Sequence, residues 1–258
     1  MKLTGGIEDI VARSNSLVDE LVAPPGVGQG ICLRCRTWND SLPATECSNC
    51  QDVRTKLETS SVPLDVISLY QKPSNLRDWL TRYKGRLDDL DEPYVAEYEP
   101  IVEALIGRYI HDYGARIDAR SGGVDCIVVV PSTKRPSPHP LEALLRKMPL
   151  DVPVRTLLRR GPGLLDFRRP AVDAYVVNDS GEDRGPQQIY LVDDVYTTGA
   201  RINSAAVALA AAGHHVVGAF VVARRVNTGY HEQAREMWDR QAARRFDWTS
   251  SPIVGEWS

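Results

Sequence analysis

Gln188-Ile189-Tyr190-Leu191-Val192-Asp193-Asp194-Val195-Tyr196-Thr197-Thr198-Gly199-Ala200-Arg201 is the stretch on which the fold turns. An apolar run predicts a strand over Gln188–Val192. Two adjacent acids, a Thr-Thr-Gly turn and a helix over Arg201–Ala212 follow, and Gly213 closes the helix. A second apolar run predicts a strand over Val216–Ala223. Strand, helix and strand in that order form a parallel crossover unit, right-handed by default. Ligands of such sheets lie beyond the carboxyl ends of the strands. The turn and helix start offer backbone N–H groups, two hydroxyls and the positive end of a dipole, which suit a phosphate. Gly199 permits close backbone approach. The paired carboxylates can accept hydrogen bonds from sugar hydroxyls or polarise a cation. A sugar on one side with its 5′-phosphate on the other is the ligand this arrangement predicts. The competing reading is an ordinary strand–turn–helix, but adjacent acids at the end of a buried strand are costly without a function.

Upstream, the same α/β rhythm holds. A strand is expected at Leu64–Tyr70, a helix near Leu76–Gly85 and a long helix over Tyr98–Ala119. Val124–Val130 is continuously apolar, as in a parallel strand covered on both faces. A short helix at Pro140–Lys147 has proline in its first turn. Strands are expected at Val152–Leu157 and Val172–Val177, and a charged helix near His231–Arg245. Ile7, Ile10, Val11, Leu17, Val18, Leu21 and Val22 predict an amphipathic N-terminal helix. The Gly26–Gly30 stretch lacks a preceding strand and reads as a linker, not a dinucleotide fingerprint. Expected boundaries are an N-terminal helix over 1–25, a cysteine module over 26–58, and an α/β domain with a C-terminal helical extension over 59–258.

Of the 258 residues, 43% are hydrophobic, enough for one substantial core and a small accessory module and too many for a disordered chain. No run approaches the roughly 20 apolar residues of a membrane span. The N-terminus lacks the apolar segment of a secretory signal, so a cytoplasmic protein without a membrane partner is expected. The 31 basic and 34 acidic residues leave a net charge of −3, which excludes bulk electrostatic binding of nucleic acid. Lys134 to Arg169 nevertheless holds nine basic and three acidic residues, net +6. A solvated face and a site for a strongly anionic ligand are the two readings of that stretch.

Cys32, Cys35, Cys47 and Cys50 form two CxxC pairs separated by eleven residues. Two such turns supply a tetrahedron of thiolates, the closed geometry of structural zinc. Redox dithiol or disulfide chemistry competes, but two pairs in a chain without a secretory signal favour zinc. So short a segment would draw most of its folding free energy from the metal. Cys126 heads an apolar run and reads as a small core residue.

The segment from Asp193 to Arg201 closely resembles the phosphoribosyl pyrophosphate (PRPP) motif of the type I phosphoribosyltransferases, and its DDVYTTG wording resembles the ComF (competence protein F) branch. The resemblance runs from about Val62 to Asn227. ComF-like proteins carry an N-terminal four-cysteine knuckle, matched by Cys32, Cys35, Cys47 and Cys50, and a tyrosine and a lysine-ended helix, loosely echoed by Tyr70 and Tyr83-Lys84-Gly85. A phosphoribosyltransferase-like core with a mostly parallel central sheet, preceded by a small zinc module, is what this implies. It also implies a pyrophosphate loop at Ser132-Thr133-Lys134-Arg135 after Val130-Pro131, with Lys134 and Arg135 facing the leaving group. Asp193 and Asp194 would orient the ribose. Val195, Tyr196, Thr197, Thr198, Gly199, Ala200 and Arg201 would hold the 5′-phosphate, and Arg159-Arg160-Gly161-Pro162-Gly163 is the candidate closing loop. Where the family continues with Arg-Gly-Phe-Asn-Gln, this chain has Pro136-Ser137-Pro138-His139-Pro140. The Trp248 and Trp257 tail is a further departure.

The implied activity is transfer of phosphoribosyl from PRPP, carried with Mg²⁺, to a nitrogen nucleophile selected by a variable hood, here expected from the N-terminal helix, the knuckle and Leu64–Gly85. The alternative keeps the pocket for sensing or assembly, linked to DNA uptake or nucleic-acid metabolism. Residues 1–60 hold six basic and eight acidic side chains, so nucleic acid has only the +6 stretch to grip. His139 is expected to start a helix, and His214-His215 to form a surface turn.

Overall fold

Strand β6 (Gln188–Tyr196) lies at the centre of a five-stranded sheet, and its residues alternate between two apolar layers. Ile189 and Leu191 enter one layer, Tyr190 and Val192 the other. With both faces covered, alternation by side still reads as one continuous apolar run. The same holds for β1 (Leu64–Tyr70), β2 (Cys126–Val129) and β7 (His215–Arg225), whose inward positions are almost wholly buried. With the two-residue β3 (Val154–Arg155) the order is β1-β7-β6-β2-β3, and every pairing is parallel. This computed structural model describes residues 1–58, 62–85, 92–132, 139–166, 169–178 and 185–255.

One face of the sheet is covered by α1 (Ile7–Asn15), α3 (Asn75–Arg82), α4 (Glu99–Ser121) and α5 (Pro140–Lys147). Proline opens α4, and Gly122, in the left-handed region at φ 75°, closes it. The other face is covered by the alanine-rich α6 (Ala200–Ala211) and by the cysteine segment with its helix α2 (Ser48–Leu57). Helix α7 (Glu232–Ala242) follows β7. Among the described residues no helix is long and apolar enough to cross a membrane.

The expected α/β class with a parallel sheet and a four-cysteine cluster is what the chain adopts. Several local expectations change: the helix expected through Val22 ends at Asn15, and the strand expected from Val172 begins at Tyr175. Strand β6 runs on to Tyr196 because β7 also continues, pairing Tyr196 with Arg224, so the acids lie within the strand and not just past its end. The strand expected at Val152–Leu157 ends at Arg155. Asn178 then binds the backbone of Thr156 and Leu157, and the chain leaves the sheet for an antiparallel ribbon of β4 (Leu158–Arg160) with β5 (Tyr175–Val177). Helix α1 lies along α4, where Arg108 reaches Asn15 at 2.9 Å, so it builds the core below the site and not a hood above it.

Candidate functional site

The two acids sit at the carboxyl end of β6, each 2% exposed. Their partners differ. The Asp194 N–H donates to Asp193 Oδ1 at 3.0 Å, and Arg201 Nη2 lies 3.5 Å from the same carboxylate. Asp194 Oδ2 accepts from Lys84 Nζ and, at 3.4 Å, from the Tyr83 hydroxyl. Burial pushes the Asp193 carboxyl up to about 7, against the pull of Arg201 and with the help of its negative neighbour. Burial also opposes ionisation of Asp194, but Lys84, His139 and Arg201 outweigh it and hold that carboxyl below the usual range. One carboxylate is thereby kept charged and its neighbour protonatable near neutrality.

Thr197, Thr198 and Gly199 turn the chain from β6 into α6. Gly199 is the N-cap at φ 88°, and a Cβ there would lie 2.9 Å from Asn203 Nδ2 and collide with the Tyr196 phenol. Asn203 donates to the Gly199 carbonyl at 2.8 Å, fixing the cap from below. The Ala200 N–H reaches Thr198 Oγ1 at 3.4 Å. The start of α6 is thus a short run of backbone donors in a rigid turn, fit for an anion.

Arg201 faces across this turn. Its Nη2 donates to the Pro131 carbonyl at 3.4 Å, where the Tyr175 hydroxyl also donates at 3.2 Å. Pro131 and the half-buried Ser132, just past β2, are thereby drawn beside the acids. Thr133, Lys134, Arg135 and Pro136 to Pro138 lie outside the described residues, as does Trp257. Arg160 is committed to the ribbon: it donates to Ala174 O at 2.7 Å and Gly163 O at 3.2 Å, with its guanidinium 5.3 Å from the Tyr175 ring centre. Arg159 stands exposed on the same ribbon. His139 caps α5, its Nδ1 accepting from Leu141 N at 3.2 Å.

The four cysteines converge on the other side of the turn. Their sulfurs lie within 4.8 Å of one another, all buried, with Cys35 and Cys47 Sγ 3.7 Å apart. A tetrahedron with Zn–S bonds near 2.3 Å has edges of about 3.8 Å, so the donor set fits a metal such as zinc. The Cys47 N–H donates to Cys32 Sγ at 3.3 Å, which orients that sulfur. Trp38 stacks on His231 at 5.0 Å and docks the segment against the start of α7. Between it and the turn opens a cleft of about 370 Å³, lined by Thr37, Asn49, Thr197, Thr198, Arg225 and Asn227 among others.

No protein-family model matches the chain, and no curated protein is similar to it in sequence. Among solved structures it is similar to adenine phosphoribosyl transferase from Trypanosoma brucei in complex with AMP, pyrophosphate and ribose-5-phosphate. That likeness has 12% identity and a TM-score of 0.34, over 71% of this chain and 90% of that chain.

The fold brings Asp193, Asp194, Thr197, Thr198, Gly199, Ala200, Arg201 and Ser132 to one edge of the sheet. Tyr196 departs from its expected place: its ring points back toward the cysteines, under Arg224, with the guanidinium carbon 5.1 Å from the ring centre. The Arg201 side chain lies beside Asp193 and Pro131, on the acid side of the turn. Two charged groups were not expected. Lys84, just past α3, is the counter-ion of Asp194. Arg224, 4% exposed, joins β6 to the cysteine cluster. The one sequence signal for Arg224 is an Arg-Arg pair closing an apolar run.

Proposed function

We propose that the chain binds PRPP at the carboxyl end of β6 and transfers its phosphoribosyl group to a nitrogen nucleophile, releasing pyrophosphate. The observation that carries this reading is the buried acid pair set directly before a glycine-capped helix start. Ribose hydroxyls would bind Asp193 and Asp194, and the 5′-phosphate the N–H groups and hydroxyls of Thr197 to Arg201. Asp194, kept ionised beside Lys84, would stabilise the positive charge that grows on the ribose as its C–O bond to pyrophosphate breaks. The new C–N bond forms on the opposite face, and the nucleophile then loses its proton. Lys134 and Arg135 would stabilise the departing pyrophosphate. Asp193 and Asp194, whose hard carboxylate oxygens fit Mg²⁺, would help hold the cation that accompanies PRPP, and it would supply neutralisation of the charge on the leaving pyrophosphate. Rigid seating of the phosphate lowers the entropic part of the barrier. Arg159, exposed on its ribbon, would close over the ligand.

Calorimetry of PRPP with and without Mg²⁺, on wild type and on Asp193→Asn/Asp194→Asn, tests the reading. Mg²⁺-dependent binding that the double variant loses supports it, and an acceptor screen by pyrophosphate release follows. Binding without turnover on any nitrogenous acceptor makes the protein a PRPP sensor instead. No binding by folded, zinc-loaded wild type overturns it.

A further inference from the structure

A buried guanidinium needs a counter-charge, because an isolated charge in the interior is strongly unfavourable. Arg224 is buried, and among the described residues no carboxylate pairs with it. Its Nη2 donates to Cys35 Sγ at 3.8 Å. Its Nη1 donates to the carbonyls of Tyr196, at 3.4 Å, and Arg225, at 2.5 Å. Its plane lies over the Tyr196 ring. Four thiolates around one dication form a dianionic cluster, and that cluster is the anion Arg224 faces.

Tyr196 continues the chain of contacts. Its phenol oxygen sits against Gly199, at the spot a Cβ would need, so ring and glycine cap are in van der Waals register. The path from metal cluster to phosphate turn is therefore Cys35, Arg224, Tyr196, Gly199, each link a direct contact. We infer that Arg224 is a positioning residue that couples the four-cysteine centre to the 5′-phosphate turn, so that metal occupancy sets PRPP affinity. Without the metal, Cys35 is no longer held opposite Arg224, and the guanidinium loses the partner that keeps it over Tyr196. The turn then loses the support behind its cap. This rests on the PRPP reading for its ligand, and on the contacts alone for the coupling.

Coupling is reciprocal: if metal strengthens PRPP binding by some factor, PRPP strengthens metal retention by the same factor. On the full-length, zinc-loaded chain we expect saturating PRPP to slow zinc release to a chromogenic chelator by about tenfold, a typical coupling. Arg224→Met should keep its full complement of zinc, bind PRPP about tenfold more weakly, and lose the protection by PRPP. Arg224→Lys keeps the charge and should restore part of both. Tyr196→Phe, which keeps the ring under Arg224 but removes the oxygen that meets Gly199, should lose part of the coupling. Hydrogen exchange of the amides at 196–201, without PRPP, gives a readout independent of the ligand: chelation should speed it in wild type, and Arg224→Met should already be fast with zinc bound. Unchanged PRPP affinity in zinc-loaded Arg224→Met, with equal zinc release with and without PRPP in wild type, overturns the inference. If Arg224→Met does not fold, the wild-type release and exchange measurements decide it. If wild type binds no PRPP, the function proposed above fails, and exchange at 196–201 still decides the coupling: faster exchange on zinc loss supports it, unchanged exchange refutes it.

Discussion

Gly199→Ala puts the phosphate turn to a quantitative test. At φ 88° and ψ −2° the residue occupies a backbone region that a side chain disfavours. The new methyl would also stand 2.6 Å from Tyr196 Cζ and 2.9 Å from Asn203 Nδ2. Neither neighbour can give way easily. Tyr196 is 6% exposed beneath Arg224, and Asn203 is 4% exposed and bonded to the Gly199 carbonyl. A left-handed non-glycine residue costs about 1–2 kcal/mol and overpacking a tight site about 1–3, so the substitution should cost about 2–5 kcal/mol. Urea unfolding of wild type and variant measures it. In a Tyr196→Phe background, which lacks the nearest oxygen, the same substitution should cost about 1 kcal/mol less, because only the steric part is relieved. PRPP affinity should fall alongside stability, since the N–H groups of the turn move with the cap. A loss below about 0.5 kcal/mol, within the range of ordinary surface changes, would mean that Gly199 is not pinned against Tyr196, and the rigid-turn argument would go with it.

Lys84→Met leaves Asp194 buried without its nearest cation, and breaking such a pair should destabilise the protein by about 3–5 kcal/mol, read from urea midpoints. Lys84→Arg, which keeps the charge, should cost far less. For Asp193 the sign follows from its raised folded value of about 7, against about 3.9 in an unfolded chain. The folded state binds the extra proton between those values, so this group lowers stability as pH rises through that window and adds nothing further above it. Asp193→Asn removes that slope, so its stability relative to wild type should rise by about 2.5 kcal/mol between pH 5 and pH 8, whatever the constant offset from Arg201. A gap that stays level would show the carboxyl to be ionised throughout. Chelation of the metal should speed hydrogen exchange across the cysteine segment and α2, while β1 and β2 keep their protection. Equal protection of α2 with and without metal would show that the segment folds on its own packing.

Legibility followed sequence distance. Strand β1 and helix α5 have the bounds their residues predict, Leu64–Tyr70 and Pro140–Lys147, because apolar patterning and an N-terminal proline are local signals. The acid pair and glycine turn were legible for the same reason, as was the convergence of the four cysteines. The end of β6 was not. Asp193 and Asp194 are poor strand formers, so the predicted strand stops at Val192, and only the longer neighbour β7 extends the ladder to Tyr196. Lys84 meets Asp194 across 110 positions and Arg224 meets Cys35 across 189, and no local pattern encodes such meetings.

A weaker signal was nonetheless present. Strands β6 and β7 are adjacent and parallel, and each apolar run ends in paired charges, Asp193-Asp194 on one and Arg224-Arg225 on the other. Burying the apolar part of each strand carries its terminal charges to the same edge of the sheet, where water is partly excluded and opposite charges interact strongly. Charges that repeatedly close apolar runs on neighbouring strands therefore mark the edge where a polar ligand is held. Here they do so on both sides of the phosphate turn, with the acids toward β2 and the arginines toward the cysteine cluster. On the two proposals above, that placement would let one short turn serve a ligand on one side and feel a metal on the other.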